Sequence, residues 1–146
     1  MSLTPVVGIL LGPVFGVLIV FVTDILSAAI GHGGWGLIGA NTLVSVSEVI
    51  VTFVIFRVLK TRIPDLFSRA GIATLAGLLV GNCVMIGIIF VPGIQGVSQT
   101  PEQVLAGLSL IAVINMGVAV IEALMTGLVV SYIGKMRPDV LEGGWR

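Results

Sequence analysis

The residues that could do chemistry in this chain are few, and they sit in apolar surroundings. Three carboxylates, Asp24, Glu48 and Glu122, lie inside long hydrophobic stretches, and no Lys or Arg lies deep in those stretches to pair with them. An acid in hydrocarbon is expensive, so such groups are expected to face a bundle interior or a cavity. Their spacing agrees. Asn41, Ser45, Glu48 and Thr52 recur at i, i+4, i+7 and i+11, one face of a helix. Asn115, Ala119, Glu122 and Thr126 repeat that spacing, with Ser109 and Ala112 extending the stripe. Two helices thus each carry a polar stripe with a glutamate near its middle. A lined pathway or site is one reading; hydrogen bonding between helices is the other.

His32 is the only histidine, in a turn with Gly31, Gly33 and Gly34. Glycines there let the backbone turn tightly and approach a ligand. Asp24 and Ala28 precede His32 at helical steps of four. Asp24 is therefore placed to orient the imidazole from behind, with Asn41 a second polar neighbour. Neutral imidazole suits nickel, cobalt, copper or zinc. Cys83 and Met85 offer sulfur to a soft metal, or simply fill space in a packed span. A single cysteine allows neither an internal disulfide nor a multi-cysteine zinc or iron–sulfur site.

The elements that must position these groups follow from composition. Of 146 residues, 57% are hydrophobic and 10% charged, where about 45–50% and about 25% are usual in soluble domains. Mean hydropathy is +1.21. A small soluble domain cannot hide that much apolar surface, which excludes a soluble enzyme, a nucleic-acid binder and a disordered chain. The net charge of +0 gives no basic footprint for nucleic acid. A spanning helix needs roughly 20 apolar residues, and four stretches qualify, at about 6–30, 37–59, 70–91 and 104–134. The expected fold is all-α: one polytopic membrane domain covering 1–146, with four transmembrane helices in a compact bundle. The last stretch exceeds the hydrocarbon thickness and must tilt, bend or project.

Basic residues set the orientation. Arg57, Lys60, Arg62 and Arg69 flank the second connection, and Lys135, Arg137 and Arg146 follow the fourth span; the first and third connections carry none. The positive-inside rule then places the second connection and both termini in the cytoplasm of a multi-pass cell-membrane protein, with His32 facing outward. The amino-terminal run is too long, and lacks the basic start, for a cleaved signal peptide. Gly8, Gly12 and Gly16 make two GxxxG steps, and Gly77 and Gly81 a third, read as close packing within the chain.

The string Ile25-Leu26-Ser27-Ala28-Ala29-Ile30-Gly31-His32-Gly33-Gly34-Trp35-Gly36-Leu37-Ile38-Gly39-Ala40-Asn41-Thr42 resembles the histidine-bearing loop of the CbiM/NikM family, the substrate-specific membrane subunits of energy-coupling-factor transporters for cobalt and nickel. Gly8-Ile9-Leu10-Leu11-Gly12-Pro13 is similar to the start of the span before that loop. Glu122-Ala123-Leu124-Met125-Thr126-Gly127 and Arg137-Pro138-Asp139 resemble the family's last span and its exit.

What the resemblance implies is a permease subunit whose transported substrate is a cobalt or nickel ion, with no covalently bound cofactor and no enzymatic reaction of its own. Its expected partners are an energy-coupling transmembrane subunit, ATPase subunits and membrane lipid. No GxxxxGK[ST] phosphate loop is present, so ATP hydrolysis falls to those other subunits. Family members hold the metal with the terminal amine, the next backbone nitrogen, a histidine at the second position and the loop histidine. Only the last carries over, onto His32; the second residue here is Ser2. The missing donors are expected from a start lying upstream or from a separate chain supplying the amino-terminal metal-binding segment; otherwise this is a shortened relative that binds no metal. The residues themselves leave two other readings open: a four-helix structural or assembly module without a substrate, and a proton or ion conductor using Glu48 and Glu122.

Overall fold

The computed structural model describes residues 3–31, 34–90 and 101–143. Four helices, α1 (Thr4–Ala29), α2 (Ile38–Val58), α3 (Leu66–Ile89) and α4 (Pro101–Met136), are long and apolar enough to cross a membrane; a short α5 (Pro138–Gly143) follows. Neighbours in sequence are neighbours in space: α1 packs on α2, α2 on α3 and α3 on α4. Helices are the form that lets every backbone group bond within its own segment in lipid. Among the described residues no strand occurs.

The boundaries have local causes. One-turn 3-10 segments, Trp35–Leu37 and Leu59–Thr61, bracket α2. Pro64 stops the chain from continuing as helix, and Asp65 caps α3 by accepting a 2.8 Å hydrogen bond from the Ser68 backbone nitrogen. That bond holds the Asp65 carboxyl below the usual carboxylate range. Arg137 and Asp139 form an exposed ion pair at 2.8 Å where α4 gives way to α5. Trp35 and Tyr132 are both about two-thirds exposed, at 66% and 65%, near opposite helix ends, where amphipathic rings suit the two membrane interfaces.

The first span departs from the expected single helix over 6–30. Gly12 has φ 73° and ψ 179°, conformations closed to the helix, and Pro13 follows it. Residues 4–11 therefore form one arm and residues 13–29 another, with Pro13 at the first position of the second arm, where its missing N–H costs nothing. The arms fold back on each other. A Cβ placed on Gly16 would lie 3.8 Å from the Gly8 Cα, whereas residues eight apart in one straight helix are separated by about 12 Å. Leu3, Thr4 and Val7 accordingly line one cavity with Ile19, Val20, Thr23 and Asp24. Gly8, Gly12 and Gly16 are thus not one small-residue stripe. Gly12 is the bend, while Gly8 and Gly16 both seat against Val49 of α2. Leu3 ends level with Thr23, not at the far end of a straight span.

The other glycine pair acts as expected. Gly77 and Gly81 of α3 are buried against Thr52 and Glu48 of α2. The packed core draws on all four spanning helices, with Ile9 of α1, Phe56 of α2, Ala70 and Ala73 of α3 and Val130 of α4. The outward surface is apolar, with Leu110, Val113, Leu124 and Leu128 of α4 all exposed. In a bilayer that surface meets acyl chains.

Candidate functional site

The polar stripes of α2 and α4 meet across α3. Glu48, Asn82, Asn115 and Glu122 line one cavity of about 340 Å³, completed by Leu78, Val118 and Ala119. Asn115 donates from Nδ2 to Oδ1 of Asn82 at 2.9 Å, tying α4 to α3. The Asn82 carboxamide nitrogen in turn donates to the Met116 sulfur at 4.0 Å, a weak acceptor. Glu122 is 4% exposed, and Thr126, one turn on, is 2% exposed. Glu48 enters from α2 through the space that Gly81 leaves: a Cβ there would stand 2.5 Å from its Oε1 and 2.6 Å from its Cγ.

The amino-terminal arm reaches the same place. The Thr4 side chain hydrogen-bonds Glu48, and Glu48 lies within electrostatic reach of Glu122 and Asp24. Thr4 is buried, and it also walls the second cavity, about 420 Å³, that holds Asp24 and Ser45. Asp24 accepts a 3.0 Å hydrogen bond from the Thr42 hydroxyl, which ties α1 to α2 below the Gly31–Gly34 turn. Gly31 and Gly34 have φ of 85° and 69°, the left-handed region that favours glycine.

Of the residues expected to carry a site, Glu48, Asn115 and Glu122 come together in one cavity. His32 lies outside the described residues. Asn41 is exposed and lines a separate apolar cavity with Val44, Met85 and Ile88. Asp24 is bound to Thr42. Cys83 is exposed on the outer face of α3. Two members were not anticipated. Asn82 is the single carboxamide of its span and has no repeat to mark a stripe. Thr4 comes to Glu48 only because the chain doubles back at Gly12.

Chemically, the cavity offers carboxylate and carboxamide oxygens inside an apolar bundle. Such groups attract and pass a cation, or hold one another by hydrogen bonds. Among the described residues no three His, Cys, Asp or Glu side chains gather as a metal-ligand cluster. The cavity is therefore a polar lining, not a closed coordination shell.

The comparisons with known proteins agree with the resemblance of the turn. The family described as the cobalt uptake substrate-specific transmembrane region, CbiM, matches residues 1–140. A relative named putative cobalt transport protein CbiM 1, from Methanocorpusculum labreanum, is 27% identical over 121 residues, covering 77% of this chain and 49% of the relative. The chain thus spans about half the length of that curated protein. No solved structure matches. A bundle of apolar helices around a polar cavity, matched by one family from residue 1 to residue 140, belongs to the CbiM family of cobalt-uptake transmembrane regions.

Proposed function

We propose that this chain is the membrane subunit of an uptake system for a divalent transition metal, cobalt or nickel, working with an energy-coupling membrane subunit and separate ATPase subunits. The observation that carries the reading is the convergence of Glu48, Asn82, Asn115 and Glu122 on one cavity in an otherwise apolar bundle. Two carboxylates facing one polar cavity inside an apolar bundle favour a cation beside them. Imidazole is the donor type that selects nickel or cobalt over magnesium or calcium. His32 is the residue that captures the metal, with Asp24 and Asn41 positioning it. The connection at 59–65 and the residues after α4 face the cytoplasm, and the turn at 31–34 faces outward, as the Lys/Arg placement favours. Single cysteines in a Cys83→Ala background test this: position 98 reacts with an impermeant thiol reagent on intact cells and position 62 does not. The opposite labelling reverses the orientation.

One imidazole with water holds cobalt or nickel weakly. A family-like Met-His segment, fused or from a separate chain, adds the remaining nitrogens. Calorimetric titration tests this. Tight cobalt or nickel binding is expected with the segment, lost on His32→Ala, and weakening as pH falls through the imidazole range of roughly 6–7, since the ligand must be neutral. Tight binding by the chain alone that survives His32→Ala removes His32 and points to Cys83, Met85 or the carboxylates. Gly8, Gly16, Gly77 and Gly81 pack against other residues of this chain, which takes those small-residue faces away from an assembly module.

A further inference from the structure

At the other end of the bundle from Gly31 and Gly34, α2, α3, α4 and α5 enclose a third polar space. This cavity, about 250 Å³, is lined by Arg57 at the end of α2, by Lys60 in the 3-10 turn that follows and by Arg69 in the first turn of α3. Its remaining wall includes Phe56, Leu66 and Leu141, and among the described residues no carboxylate lines it. Arg69 is only 7% exposed. Its guanidinium stacks on the Phe56 ring at 4.3 Å, and its Nε is buried with no hydrogen-bond partner. Among the described residues no carboxylate pairs with Arg57, Lys60 or Arg69.

A buried cation without a counter-ion is unfavourable, because its desolvation is not repaid. Arg69 could have been any apolar residue if packing against Phe56 were its whole role. Three cations converging on one space, one of them with an idle Nε–H, form a receptor for an anion. Guanidinium forks match phosphate oxygens in particular. The wall also decides the source. Aromatic and aliphatic side chains among the cations suit a phosphodiester that carries a glyceryl and acyl portion, and basic pockets between spans at the cytoplasmic side are suited to such groups. We infer that this cavity binds the phosphate of an anionic phospholipid headgroup, with Arg69 as the buried anchor and Arg57 and Lys60 closing over it.

The test uses the full chain purified in detergent and probed by native mass spectrometry. The probes are phosphatidylglycerol, phosphatidylcholine of the same acyl chains, and inorganic phosphate. Phosphatidylglycerol adducts are expected to outnumber phosphatidylcholine adducts. Arg57→Gln and Lys60→Gln should each weaken phosphatidylglycerol retention about fivefold, and Arg69→Met, which keeps the stem on Phe56, about tenfold or more. Arg62→Gln and Lys135→Gln remove the same charge outside the cavity and should change retention less than twofold. Phosphatidylglycerol should also raise the thermal midpoint of wild type but not of Arg69→Met, a readout that needs only that the variant fold. Equal loss in the Arg62→Gln and Lys135→Gln controls overturns the site. Equal retention of phosphatidylcholine overturns the anion preference. Displacement of phosphatidylglycerol by millimolar phosphate overturns the lipid as source.

Discussion

Replacing Gly12 by alanine tests the bend that brings Thr4 to Glu48. Gly12 sits at φ 73°, ψ 179°, a region that is essentially glycine-only and costs another residue about 1–3 kcal/mol. That is about a 5- to 150-fold loss in the folding equilibrium. One escape is for residues 4–11 to swing out and run on from the helix of residues 13–29 with a kink at Pro13. Gly8 then leaves Val49, and Thr4 leaves Glu48. Both consequences are measurable. Unfolding of the reconstituted chain in a rising mole fraction of denaturing detergent, followed by circular dichroism, reads the stability. Spin labels at Leu3 and Thr23, in a Cys83→Ala background, read the geometry. These residues are both exposed and wall the same cavity, whereas a straight helix would part them by about 30 Å. Wild type is expected to give a short distance, and Gly12→Ala either a destabilised hairpin or a population near 30 Å. Wild-type stability with an unchanged short distance in Gly12→Ala would refute the reasoning about the backbone.

Three further outcomes follow from the geometry. Glu48→Gln should be milder than Glu48→Leu in stability, because the amide can still hydrogen-bond Thr4 while leucine leaves that hydroxyl behind; equal loss, read in the same detergent titration, would show that only volume matters. Gly81→Ala places a methyl 2.5–2.9 Å from the Glu48 carboxylate end and should cost about 1–3 kcal/mol, with most of that recovered in the Gly81→Ala, Glu48→Ala double variant; simple additivity would mean the two do not touch. Asp65, its carboxyl held low by Ser68, contributes stability that is present above about pH 4 and lost as pH falls through its lowered value. The stability gap between wild type and Asp65→Ser should therefore shrink in acid, and a gap constant from pH 6 to pH 2 would remove the charge from the cap.

Much of this was legible in the residues, for physical reasons. Four apolar helices follow from four apolar runs of about 20 residues or more, since in lipid a helix satisfies its polar backbone groups within its own segment. Glu48, Asn115 and Glu122 share a cavity because helical spacing puts polar groups on one stripe and hydrocarbon drives stripes together. Asn41 follows the same spacing as Glu48 but lies two turns higher on α2, beyond the cavity, and is exposed. The bend at Gly12 was hidden because a glycine four residues from two others looks the same whether it packs or turns; Pro13 was the available signal. Arg69 reads as one more basic flank of a connection, yet it lies inside the first turn of α3 and is buried on Phe56. Only tertiary packing reveals that burial of Arg69.

The central claim, that this chain takes a divalent transition metal across the membrane by way of His32 and the cavity beneath, is tested most directly by cobalt accumulation. Cells lacking their own uptake system would express the chain with energy-coupling and ATPase subunits and a family-like Met-His segment. The account predicts radioactive cobalt accumulation that falls to background in His32→Ala and declines at least tenfold in a Glu48→Leu, Glu122→Leu variant present at wild-type level in the membrane. Accumulation that persists unchanged in both variants would contradict it.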